Sequence, residues 1–159
     1  MVAAISILSP DNYIAKLETL GDETKLPTIS LRIQNYTAII LDGATVESVV
    51  EYQGNFLVFL TNDIPYEEQL NIYYISSSLK VMDQATLGSI YVTGSFKSLQ
   101  VTGFNQVSFT FFGTAIWTIC MSNKPFYYLP FINNLKGVSR PFRLRYYFKV
   151  LGSPQPDRS

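Results

Sequence analysis

Apolar residues fall at every second position through much of this chain, the period of a strand with one buried face. From residue 28 onward they come in short runs separated by polar turns. The strongest pair of runs spans residues 106–121, QVSFTFFGTAIWTICM, divided at Gly113-Thr114. A two-residue connection with glycine first is what a type II′ hairpin turn requires. With Phe112 and Ala115 flanking that turn, Phe111 faces Ile116, Thr110 faces Trp117, Phe109 faces Thr118, Ser108 faces Ile119 and Val107 faces Cys120. Cross-strand aromatic and β-branched pairs are the unit of sheet stability, so this hairpin is expected at the centre of the fold.

Upstream of it, residues 28–33, 36–41 and 45–52 read as strands, broken at Gln34-Asn35 and at the tight-turn dipeptide Asp42-Gly43. After the Gln53-Gly54-Asn55 turn, residues 56–61 are apolar at nearly every position, as a strand covered on both faces should be. Strands at 69–76, 79–84 and 96–102 follow, with 88–94 as a loop or edge piece. Pro125, Pro130 and Pro141 each remove a ladder donor, which puts the segment after Met121 on an edge or outside the sheet. The last run, 142–150, alternates most regularly. Phe142, Leu144, Tyr146, Phe148 and Val150 share one side, and Arg143, Arg145, Tyr147 and Lys149 share the other.

Near the start, residues 2–8 read as a short strand, followed by the one stretch with helical spacing. Ser9 is a candidate N-cap, Pro10 the first helical residue and Gly21 the stop, with Tyr13, Ile14, Leu17 and Leu20 on one stripe. The pattern predicts a single all-β domain over 1–152 with a short N-terminal helix at about 10–20, and a flexible polar tail at 153–159. Successive strands with tight turns imply an antiparallel meander. Closure into a β-barrel sets the basic last strand beside the Glu47 and Glu51 face of 45–52, and a two-layer β-sandwich is the alternative.

Composition narrows this picture. At 159 residues and 47% hydrophobic, with 11 Phe and 11 Tyr, the chain has ample material for one aromatic-rich core. Charged residues make up only 15%, too few for a disordered segment. Cys120 stands alone, so no intrachain disulfide forms, and it is expected as a small buried hydrophobe. The start, MVAAISIL, has no basic region, and no stretch approaches the roughly 18 apolar residues of a membrane helix. The expected compartment is the cytoplasm. Formal net charge is zero, yet residues 1–119 carry five Lys/Arg against eleven Asp/Glu, and residues 120–159 carry seven against Asp157 alone. Segments of opposite sign are expected to lie side by side and neutralise. A neutral total is not the footprint of a nucleic-acid binder, so nucleic acid is not an expected partner.

Absences remove most chemistry. No histidine means no imidazole triad and no His-ligated zinc, and one cysteine excludes thiolate zinc clusters and CxxC redox pairs. Glycine-rich phosphate loops and EF-hand loops are also missing, so no cofactor and no metal is expected. Carboxylates remain. In TNDIPYEEQ, residues 61–69, Asp63, Glu67 and Glu68 are candidates for an acid/base pair or a hard-cation site; the plainer reading is a turn whose Asn62 and Asp63 bond the backbone. A second candidate is the basic strand and its approach, Arg140, Arg143, Arg145 and Lys149, interleaved with Tyr146 and Tyr147. Arginine beside aromatics suits phosphate or single-stranded nucleic acid, and equally an ordinary solvated sheet face. The third is KPFYYLPF, residues 124–131 including Tyr127, a pocket rim or a flap closing a barrel end.

The expected function is therefore a non-enzymatic binding or interaction protein, such as a partner-neutralising or accessory protein of a bacterial cell. The first alternative is a barrel carrier holding a small apolar or aromatic ligand near Trp117. The second is a carboxylate-based hydrolase. Partners in view are a protein or a small apolar ligand, with homo-oligomers left open.

Overall fold

The computed structural model describes residues 5–88, 93–127 and 137–152. The chain enters as β1 (Ile5–Ile7), makes one 3-10 turn at Pro10–Asn12 and runs into β2 (Tyr13–Thr19). β2 pairs with β3 (Thr28–Ile33), and β3 with β4 (Ile39–Asp42). At the corner after β4, Gly43 has φ +143°, and a Cβ there would stand 2.6 Å from Leu60 Cδ2. Only glycine turns the chain here into the meander of β5 (Thr45–Tyr52), β6 (Asn55–Thr61), β7 (Leu70–Ile75) and β8 (Val81–Leu87). A second meander follows in β9 (Lys97–Gly103), β10 (Gln106–Thr110) and β11 (Ile116–Phe126). β12 (Val138–Ser139) then returns to β8, and β13 (Tyr146–Gly152) pairs with β11.

Among the described residues all pairings are antiparallel and form three sheets: β1-β5-β6-β7-β8-β12, β13-β11-β10-β9 and β2-β3-β4. The six-stranded sheet lies in the middle. One face carries Leu57, Phe59, Ile72 and Tyr74 against Val107, Phe109, Trp117, Ile119 and Phe148 of the four-stranded sheet. Its other face carries Phe56, Val58, Leu60 and Tyr73 against Ile29, Leu31, Ile33 and Leu41 of the three-stranded sheet. Hence β7 is buried at every position and β6 at every position after Asn55, which is why 56–61 does not alternate.

This arrangement replaces the expected barrel. A strand in a small barrel buries one face, whereas β6 and β7 bury both, which calls for a further layer. Among the described residues no ladder closes a sheet on itself; the sandwich is the alternative that fits. β8 and β13 do come together, but the link is a side chain. Asp83 Oδ2 accepts from the backbone N–H of Tyr147 (2.7 Å) and Phe148 (3.2 Å).

The expected helix at 10–20 is also replaced. Its start signal is real: Ser9 caps the turn, accepting the Asp11 N–H at 3.3 Å, with Pro10 in the first helical position. One turn later the chain is extended, with Tyr13 opposite Ile33 and Leu17 opposite Ile29. An eleven-residue helix is marginal by itself, and the β3 ladder offers these residues a hydrogen-bonded alternative.

The central hairpin turns where expected. Gly113 holds φ +59° and Ala115 N–H donates to Phe112 C=O (3.1 Å). Its register differs by one residue, because Phe111 leaves the ladder and accepts from Ser95 N–H (2.8 Å). The observed pairs are Phe109↔Trp117 and Val107↔Ile119 facing the core, and Ser108↔Thr118 facing out. The slip gathers the large apolar groups on one face and lets Thr102, Ser108 and Thr118 hydroxyls bond in a row (3.0 and 2.8 Å). The last strand is shorter than expected. Phe142 and Leu144 lie before β13 and are exposed, while Tyr146 and Phe148 are buried. Pro141 precedes them, and Arg143 N–H bonds the Tyr146 hydroxyl (2.9 Å) instead of a neighbouring strand. The polar tail at 153–159 and Pro130 fall outside the described residues.

Candidate functional site

The loop Thr61–Gln69 holds itself together. Glu68's carboxylate accepts from the backbone N–H of Asn62 (2.8 Å), Asp63 (2.9 Å) and Gln69 (3.1 Å), and Glu68 N–H donates to Thr93 Oγ1 (3.0 Å). Three donors on one carboxylate make Glu68 a loop anchor. Asp63, at φ 60°, receives the Thr45 hydroxyl at 3.2 Å on each oxygen. Glu67 is exposed. Among the described residues no three acidic or cysteine side chains gather as a metal site would need.

The basic set is split up by the fold. Arg140, with 1% of its side chain exposed, places Nη2 2.6 Å from Asp83 Oδ2, and its guanidinium lies 4.4 Å from the Phe148 ring centroid and 5.1 Å from that of Tyr146. It is bound into the seam between the two larger sheets. Arg143 is half-buried and its Nε has no hydrogen-bond partner among the described residues; Arg145 is exposed ahead of β13. Trp117 is a core residue, edge-on to Phe112 at 6.2 Å, with its Nε1 buried and without a hydrogen-bond partner among the described residues. Of the expected binding residues, Lys149 lines a surface groove, and Tyr127 is the exposed chain neighbour of Phe126, which lines it too.

That groove, about 430 Å³, opens at one end of the sandwich where the β5–β6 turn meets the β9–β10 turn and the outer sheet. Phe104 enters from the β9–β10 turn and is 78% exposed. Cys120 and Met121 of β11 line it, as do Phe126 further along and Lys149 of β13. Cys120 and Lys149 are opposite each other in the ladder, and Lys149 Nζ sits 5.5 Å from the Phe126 ring centroid. Tyr127, next along, is 83% exposed. Asn105 fixes the groove's turn to its wall: its side-chain amide donates to Met121 C=O (2.9 Å), and its own C=O accepts from Met121 N–H (2.8 Å). β11 continues past β10 here, since their ladder ends at Gln106↔Cys120, and Pro125 falls in that overhang. Burial pushes the Cys120 thiol up from its ordinary value, against the opposing pull of a Gln106 hydrogen bond and the Lys149 charge. The shift favours the neutral thiol over the thiolate. The groove can thus offer aromatic faces, a thiol-and-thioether wall and one cation.

Sequence reasoning missed Phe104 and Asp83, while Phe126 lies within the 124–131 candidate. A large aromatic in the Gly103-Phe104-Asn105 turn was the available signal for the first, since turns favour small polar residues. No known protein family, curated protein or solved structure matches this chain.

Proposed function

We propose that this protein is a non-enzymatic binding protein, and that the groove at the Phe104 turn takes an extended polypeptide segment in which an apolar or aromatic side chain neighbours a carboxylate. The observation that carries this reading is the meeting of an exposed phenylalanine with a second aromatic ring and a lysine in one open groove. Exposed aromatics of this kind serve as anchors at interfaces, and a cation beside them selects an acidic partner. The space between the larger sheets, where a barrel carrier would hold its ligand, is occupied by Phe59, Phe96 and Phe109 with centroids 4.9–5.2 Å apart. This too moves recognition to the surface.

Selection of the intact chain against a random peptide library tests the reading. Enrichment is expected for sequences with Asp or Glu beside an aromatic or aliphatic residue. Phe104→Ala should weaken the selected peptides by more than about tenfold, and Lys149→Glu should remove the acidic preference. No enrichment, or enrichment indifferent to both substitutions, overturns it.

A further inference from the structure

β2 is the outermost strand of the three-stranded sheet, and its far edge has no neighbouring strand among the described residues. One bond shows which backbone groups face that edge. Gln34 N–H donates to Asn12 C=O at 2.7 Å, and the ladder carries the same parity to Ile14↔Arg32 and Lys16↔Ser30. In an antiparallel pair the intervening residues turn both N–H and C=O the other way. Ala15 and Leu17 therefore present both groups on the open side, and Tyr13 presents its C=O, its N–H being given to Pro10 C=O.

The other described edges are protected. β1 has three residues, β12 two and β4 four. β9 is interrupted by two register shifts and by Ser98 at φ 62°. β13 has the N–H groups of Tyr147 and Phe148 taken by Asp83. Short, bulged or capped edges resist strand addition; β2 from Tyr13 to Leu17 runs in unbroken register. Its apolar groups are also uncovered, with Ile14 59% and Leu17 47% exposed.

We propose that this edge pairs with the same edge of a second copy, antiparallel about a two-fold axis through Ala15, so that two three-stranded sheets join into one continuous sheet. Tyr13 then lies opposite the partner's Leu17, and Ala15 opposite the partner's Ala15; the Ala15 pair exchanges both main-chain hydrogen bonds, and each Tyr13–Leu17 pair makes one, from Leu17 N–H to Tyr13 C=O. Tyrosine against leucine on either side of a small residue at the axis is self-complementary. On the other face Ile14 meets the alkyl stem of the partner's Lys16. An axis through Lys16 would set two lysines face to face, and one through Ile14 would run Leu17 onto the partner's 3-10 turn. The register at Ala15 avoids both. Lys16 and Glu18 cancel within the strand and the chain's formal net charge is zero, so no net repulsion opposes approach. This contact involves none of the groove residues and stands apart from the peptide-binding reading.

Sedimentation of the intact chain from micromolar to millimolar concentration tests it, with amide exchange at both ends of the range. The mass is expected to rise from 18.0 kDa to twice that value. Ala15 and Leu17 amides should exchange more slowly in the concentrated sample. Ala15→Pro removes one outward N–H while leaving the β3 ladder bonds, and Leu17→Lys keeps the backbone intact and places a charge in the contact. Both should raise the midpoint of association at least about tenfold, with the far-ultraviolet spectrum unchanged. A monomer throughout the range overturns the proposal. So does a dimer indifferent to both variants, or one in which those two amides gain no protection.

Discussion

Asp83 shows how one side chain can do the work of a missing ladder. It sits on β8 opposite Tyr74, fully buried, and one oxygen receives Arg140 and two backbone donors of β13. Its other oxygen accepts from Gln84 N–H (2.8 Å). A buried pair of this kind is costly to break from one side, because the remaining ion is left in a low-dielectric interior. Asp83→Asn and Arg140→Met are each expected to lower the unfolding free energy by about 3–5 kcal/mol. Combining Arg140→Met with Asp83→Asn should cost less than the two losses added together. Denaturant titration of the three variants measures this. The pair was not legible in the sequence. Arg140 reads in the sequence as a cation beside tyrosines, but its partner is 57 positions away, and nothing local marks Asp83 as the one buried aspartate among the described residues.

Among the elements, the ones with a local signature were legible. Gln53 (φ 50°) and Gly54 (φ 82°) form the two-residue turn that joins β5 to β6, and the asparagine and glycine content of that stretch announced it. β2 was misread because its apolar residues satisfy both a helical stripe and a strand, and only pairing with β3 decides between them. The β10–β11 register was misread for a similar reason, since the extra residue Phe111 is recruited by a segment outside the hairpin. Gly94 makes room for it: a Cβ there would come within 2.5 Å of the Phe111 ring. Gly94→Ala is expected to destabilise the fold by about 1–3 kcal/mol. It should also broaden the Phe109 and Trp117 side-chain resonances, because the ring that holds the register must shift. Thermal unfolding together with those spectra checks it.

At the scale of the whole molecule, three layers put the central sheet out of reach of water on both sides, and its tyrosines register that. Burial, aided by the Asp42 charge, raises Tyr73 far above its ordinary value, while its hydroxyl donates to Asp42 C=O at 2.8 Å. Tyr74 and Tyr13 are shifted the same way, chiefly by burial. A phenol whose ionisation is raised by folding favours the folded state below the unfolded value of about 10, and that contribution is lost as pH climbs beyond it. Stability is thus expected to hold level up to about pH 10 and then fall, with Tyr73→Phe giving a shallower decline. Denaturant midpoints collected against pH provide the measurement. The opposite charges of the two chain segments also meet at this scale, in the contact of Arg140, which follows β12, with Asp83 of the neighbouring β8.

The amino-acid order by itself determined that the chain is β throughout its middle, where its tight turns fall, and that residues 56–61 lie between two covered faces. Those features depend on neighbours a few positions apart, whose steric and hydrogen-bonding preferences act before any distant segment arrives. Tertiary structure alone decided the division into three sheets, the extended state of β2, the Asp83–Arg140 seam and the groove at Phe104. Each of these arises where segments remote in the chain compete for the same backbone groups or the same apolar face, and that competition is resolved only by which of them pack together.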